Sequence, residues 1–130
     1  MSLGPLISCV DDDLEVRDAL AGLLKALGFS TATFSSAESF LATGDLNLTC
    51  CLITDVMLRG ISGLELQTRL TESGHQIPMI MITAFPEERL RAQAMAAGAV
   101  CFLNKPVTRR DLVSCIQSAL HTTLKENSDQ

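Results

Sequence analysis

Five short apolar runs punctuate the chain, and each ends abruptly at a polar residue. Leu6 to Val10 stops at Asp11-Asp12-Asp13, Ser30 to Phe34 at Ser35, Cys50 to Thr54 at Asp55, Pro78 to Ile82 at Thr83, and Val100 to Leu103 at Asn104-Lys105-Pro106. Runs this short suit strands, and the third is apolar enough to be buried on both faces. Between them apolar residues recur at helical spacing: Leu14, Ala19, Leu20, Leu23, Leu24 and Leu27; Phe40 and Leu41; Leu64, Leu66 and Leu70; Leu90, Ala94, Met95 and Ala97; Leu112, Cys115, Ile116, Ala119 and Leu120. The helix boundaries carry their own signals. Asp13, Ser35 or Ser36, and Ser62 suit N-caps, Pro86 suits the first helical position, Gly28 and Gly98 suit the position just past a helix, and the last helix begins near Thr108.

Strands that alternate with helices return to the sheet through crossover helices, which makes the sheet parallel and covers both its faces. The pattern therefore predicts an α/β, flavodoxin-like doubly wound (βα)5 fold with a five-stranded parallel sheet in the order 2-1-3-4-5. Residues 1–5 read as a leader, 6–122 as the folded domain and 123–130 as a polar tail or the start of a linker.

Composition narrows the function classes. A chain of 130 residues supports one domain with one hydrophobic core, and 47% apolar residues without Trp or Tyr leave aliphatic side chains, Met and Phe to fill it. The net charge is −5 and the ten Lys and Arg are scattered, which argues against direct binding to nucleic acid. Cys9, Cys50, Cys51, Cys101 and Cys115 show no metal-ligand spacing and read as buried reduced thiols acting as small hydrophobes. No stretch reaches the roughly 18 to 20 apolar residues of a membrane span, so a cytoplasmic location is expected.

The chemistry gathers at strand ends. Asp11 and Asp12, Asp55, Thr83 and Lys105 each follow a predicted strand, and the carboxyl edge of a parallel α/β sheet is where ligands bind. Carboxylates converging there repel one another by about 4 kcal/mol per pair at 4 Å and an effective dielectric near 20, which calls for protons or a cation. Mg²⁺ suits one or two carboxylates, waters and phosphate oxygens. Carboxylates also form aspartyl-phosphate intermediates, and Asp55, alone on its strand end, is the best nucleophile. Lys105 and the Thr83 hydroxyl would then meet phosphoryl oxygens.

Val10-Asp11-Asp12-Asp13, Leu52-Ile53-Thr54-Asp55 with Gly63 eight residues on, Ile82-Thr83-Ala84 and Phe102-Leu103-Asn104-Lys105-Pro106 occur in that order. Together they resemble the receiver domain of two-component response regulators, over residues 6 to about 122. Phe34 to Leu41 and Ala96 to Val100 are closest to the nitrogen-fixation-regulator type. The resemblance implies that Asp55 is the phosphoacceptor, that Asp12, Asp55 and the Met57 backbone carbonyl bind Mg²⁺ directly, and that Asp11 acts through water. It further implies that Thr83, Ala84, Lys105 and the switch aromatic Phe102 bind or sense the phosphoryl group, with Pro106 and Gly63 structural. The implied partners are a sensor histidine kinase as phosphohistidine donor and an output domain outside this chain, of the DNA-binding helix-turn-helix kind. A homodimer through the fourth helix, fifth strand and fifth helix is also implied. Such a domain catalyses only its own phosphorylation and dephosphorylation.

Two departures from that pattern stand out. Leu58-Arg59 replaces a usual Met-Pro, and Val107 replaces a frequent Phe. Met57 and Phe85, both apolar, stand where side chains flank the phosphoryl group, which implies slow autodephosphorylation. The rival reading is a haloacid-dehalogenase-like Mg-dependent phosphatase with Asp11 as nucleophile and Asp13 as acid. Glu15 does not fit its motif, and no acidic pair follows Lys105.

Overall fold

A computed structural model describes residues 4–128 of the chain, with side chains to His121. Met1 to Leu3 of the expected leader, and Asp129 and Gln130 of the expected tail, lie outside the described residues. The strands are β1 (Leu6–Val10), β2 (Ser30–Phe34), β3 (Thr49–Asp55), β4 (Met79–Thr83) and β5 (Cys101–Asn104); the helices are α1 (Leu14–Ala26), α2 (Ala37–Thr43), α3 (Gly63–Glu72), α4 (Glu88–Ala96) and α5 (Arg109–Ser128). All strand pairs are parallel, in the order β2-β1-β3-β4-β5. Elements and order agree with the pattern of apolar runs.

In place of the one core expected, the sheet separates two by simple alternation. Along β3, Cys51 and Ile53 face one side, where Ile7, Cys9, Ile80 and Ile82 meet Leu20 and Leu24 of α1 and Leu112 and Ile116 of α5. Leu52 faces the other, with Val10, Met81, Phe40 of α2, Leu66 and Leu70 of α3 and Ala94 of α4. Each fully buried aliphatic side chain contributes about 1.5–3 kcal/mol, so a strand buried on both faces, as β3 is, anchors the domain. In α1 the buried positions Leu20 and Leu24, with Val16 and Leu23 packed beside them, set the helix phase. Leu14, 59% exposed, and exposed Ala19 fall outside that stripe despite the helical spacing expected of them, and Ala97 is exposed past the end of α4.

Caps formed where side chains reach back to the first turn. Asp13 accepts from the Glu15 amide, Ser36 from Ser39, Ser62 from Glu65, and Thr108 from Asp111. Gly28 and Gly98 hold positive φ just past α1 and α4. Pro86 is a correction: it precedes the N-cap Glu87 and is not the first helical residue of α4. Glu87 makes no side-chain cap, so this entry to α4 carries a weaker boundary signal than the others. The last helix runs to Ser128, through positions expected to form a polar tail. Lys125 and Glu126 are good helix formers and extend it readily.

The cysteines also depart from expectation. Cys9 and Cys51 are free and buried, and burial pushes the Cys9 thiol up to about 12 and raises that of Cys51 still further. Cys50 is free but only half-buried. Cys101 and Cys115 are joined as a disulfide between β5 and α5, so the reduced-thiol reading fails for this pair. Fourteen residues separate them, and only the packing of α5 against β5 brings their Cα atoms to 6.0 Å.

Candidate functional site

Parallel register brings the strand ends level. Val10 pairs with Thr54, Asp55 with Ile82, and Thr83 with Asn104, so the residues that follow or end these strands share one edge. There Asp11, Asp12 and Asp55 each present a carboxylate oxygen within 4.8 Å of the others. Lys105 Nζ reaches into the group, donating to Asp55 Oδ2 at 2.6 Å and lying 2.8 Å from Asp11 Oδ2. Three carboxylates facing one ammonium leave an excess of negative charge on a partly desolvated edge.

The three acids are not equivalent. Asp11 is fully buried: Oδ1 accepts from the Asp13 amide, while Oδ2 makes no hydrogen bond and lies in ion-pair contact with Lys105. Burial raises its carboxyl above the usual range, against the opposing pull of Lys105 and the Asp13 amide. Asp55, 5% exposed, accepts from the Met57 amide at 2.8 Å and from Lys105. Asp12 is exposed, with Oδ2 accepting from the Arg59 amide at 3.1 Å. For Lys105, burial acts to lower the ammonium's affinity for its proton, but its contacts with Asp11 and Asp55 outweigh it and the net shift is upward. Lys105 therefore carries its charge at neutral pH.

Neighbouring backbone completes the site. Thr83 is fully buried; its hydroxyl oxygen accepts from the Phe85 amide, and its carbonyl accepts from the Lys105 amide at 2.7 Å, tying the β4 and β5 ends together. The Lys105-Pro106 peptide is cis. Gly63 opens α3 directly behind the site, where a Cβ would collide with the Asp55 carbonyl and the Val56 Cα. Only glycine lets the helix start that close to the strand. Ala84 and Pro106 are exposed at the edge, as are the side chains of Met57 and Phe85, at 55% and 70%. Phe102 is not part of the carboxylate group: strand alternation turns it to the other core, beside α4, where with Pro86, Glu87, Glu88, Arg91 and Asn104 it lines a cleft of about 250 Å³.

Three contacts had no signal in the sequence: one links residues six apart across the β1–α1 turn, and two join distant segments. Arg17 of α1 donates to the Asp11 carbonyl at 2.7 Å. The Glu38 carboxylate of α2 accepts from the Ile61 amide at 3.3 Å, and it lies where a side chain on Gly60 would project. The Arg59 amide that reaches Asp12 is a donor proline would not have supplied. Loss of the usual proline thus adds a hydrogen bond to one of the clustered acids.

The response regulator receiver domain model matches residues 7–117. This chain belongs to the response regulator receiver domain family. The transcriptional regulatory protein TdiR of Thauera aromatica is 39% identical over 114 residues, covering 85% of this chain and 49% of TdiR. The solved response regulator StyR shares 36% identity at a TM-score of 0.89, over 97% of this chain and 64% of that one. The structure of FixJ-N shares 35% identity at a TM-score of 0.81, over 89% of this chain and 93% of that one, in keeping with the nitrogen-fixation-type resemblance. The receiver domain spans about half the length of the curated relatives it matches. Nothing in these similarities favours a dehalogenase-like phosphatase. The site does not favour it either: Asp11 is buried against Lys105, and Asp13, the acid that reading needs, is occupied in capping α1.

Proposed function

We propose that this receiver domain accepts a phosphoryl group on Asp55 from a phosphohistidine of a sensor kinase, in a Mg²⁺-dependent step. The observation that carries the reading is the single ammonium of Lys105 shared between Asp55 and Asp11, with Asp12 beside them. An Asp55 oxygen attacks phosphorus, a P–O bond forms as the donor's P–N bond breaks, and the departing imidazole keeps the electron pair. Asp12, Asp55 and the Met57 carbonyl would hold the metal. Asp11 would act through water. The excess of acid over base fits a cation there. When bound, Mg²⁺ offsets charge on the phosphoryl oxygens. Lys105 does the same, and the Thr83 hydroxyl, which now only accepts, has its proton to donate.

Incubation with Mg²⁺ and a small acyl phosphate is the direct test. One acid-stable, base-labile adduct per chain on the peptide containing Asp55 is expected, and EDTA should prevent it. Steady turnover of the acyl phosphate that is lost in Asp11→Asn but kept in Asp55→Asn would overturn the assignment in favour of a phosphatase.

The rim implies a long-lived phosphorylated state. Met57 and Phe85 are exposed at the mouth of the site and neither orients a water for attack on phosphorus. Met57→Asn is expected to speed loss of the phosphoryl group on the order of tenfold by positioning that water. Decay in the wild type as fast as in the variant would refute this.

The output is transcriptional in this proposal, through a DNA-binding domain beyond the present chain, as the name of TdiR suggests for that relative. Phe102 and the α4, β5 and α5 surface would transmit the change, with exposed Ala92 and Ala96 available to a second copy. Among the described residues no helix is long and apolar enough to cross a membrane, in keeping with cytoplasmic signalling.

A further inference from the structure

Of the five cysteines, four lie on the same side of the sheet, within the core shared by α1 and α5. Cys9 and Cys51 sit at its centre, fully buried, with thiols that hold their protons well above neutral pH. They are inert to oxidants. Cys101 and Cys115 differ in both position and access. Cys101 is half-buried on β5, the edge strand of the sheet, and Cys115 is 5% exposed on the overlying turn of α5. Their Cα separation of 6.0 Å is in the ordinary range for a disulfide, so no backbone movement is needed to link them.

We infer that Cys101 and Cys115 form a reversible redox site on the β5–α5 unit, oxidised by low-molecular-weight disulfides. The Cys101 thiolate, the more accessible, attacks the small disulfide RSSR, forming a mixed disulfide at Cys101 and releasing one RSH. The Cys115 thiolate then attacks the Cys101 sulfur, closing the internal bond and releasing the second RSH. The protein loses two electrons and two protons, and the small disulfide gains them. The link spans the strand that leads into Lys105 and carries Phe102 on its opposite face, so oxidation fixes α5 to that strand. This site is independent of phosphoryl transfer, and its test does not require Asp55 to function.

The reduced wild-type protein is treated with glutathione disulfide, blocked with an alkylating reagent, digested and read by mass. Cys101 and Cys115 fall on different tryptic peptides, so a link joins two peptides. The expected result is a Cys101–Cys115 cross-link with the mass loss of two hydrogens, reversed by dithiothreitol, with Cys50 alkylated in native protein and Cys9 and Cys51 only after unfolding. Closing a short loop predicts that the oxidised form melts about 5–10 °C above the reduced form. Cys101→Ser, at a half-buried position, should fold and abolish the difference between the two conditions; Cys115→Ala is the second variant. Alkylation of both residues after oxidation, a mixed disulfide that persists at Cys101, or a cross-link between any other pair would overturn the inference.

Discussion

Lys105→Met is expected to lower stability by about 2–4 kcal/mol in EDTA and to recover much of that loss in millimolar Mg²⁺. The side chain keeps the packing of the lysine stem but removes the one ammonium that, among the described residues, faces Asp11 and Asp55. Asp11 is fully buried and Asp55 nearly so, and Lys105 itself is only 16% exposed, so solvent does little to screen the exposed imbalance. Breaking a buried ion pair by removing one partner typically costs about 3–5 kcal/mol. The value expected here is lower because either acid can take up a proton, Asp11 most easily, since burial already raises its carboxyl. A divalent cation held by the acids would supply the missing positive charge. Urea denaturation with and without Mg²⁺ measures both quantities, and equal stability of variant and wild type in EDTA would refute the account. Labelling by acyl phosphate should fall on the order of 100-fold or more, as for loss of a group that stabilises charge at the transferring phosphoryl.

That the site was largely legible in the sequence follows from how parallel sheets are built. Strands buried on both faces must be continuous apolar runs, so a charged residue can appear only where the strand leaves the core, and Asp11, Asp55 and Lys105 mark those exits by their charge alone. Gly63 was legible only through the family resemblance, eight residues after Asp55; the structure supplies the reason, a helix that begins directly behind a strand end and leaves no room for a side chain. What stayed hidden depends on three-dimensional placement that no local pattern encodes. Arg17 on the Asp11 carbonyl, Glu38 on the loop after β3, and the Arg59 amide on Asp12 all use residue types common on any surface. The Cys101–Cys115 link was invisible for the same reason, since it depends on the phase and tilt of α5 and not on any spacing motif. Pro86 misled because proline suits both the first turn of a helix and the loop before it, and nothing local decides between them.

Asp55→Asn is expected to abolish phosphoryl labelling while leaving the fold intact, and the electrostatics explain why the two separate. The amide cannot act as the nucleophile, so no adduct should form under conditions that label the wild type fully. Removing the charge has opposing effects on stability. At an effective dielectric near 20, the lost attraction to Lys105 at 2.6 Å is worth about 6 kcal/mol. The two relieved repulsions, from Asp11 and Asp12 within 4.8 Å, are worth about 3 kcal/mol each or somewhat more. These nearly cancel, and the asparagine oxygen still accepts from Met57 or Lys105, so stability in EDTA should change by less than about 1 kcal/mol. The gain in melting temperature that Mg²⁺ gives the wild type should shrink, because one of the acids that hold the ion is gone. A variant that unfolds would place Asp55 among the structural acids, and one that still labels would move the phosphoacceptor elsewhere. The contrast with Lys105→Met is the sharper outcome: one substitution removes the chemistry and spares the fold, the other damages both, because, among the described residues, Asp55 is one of three acids and Lys105 the single ammonium set among them.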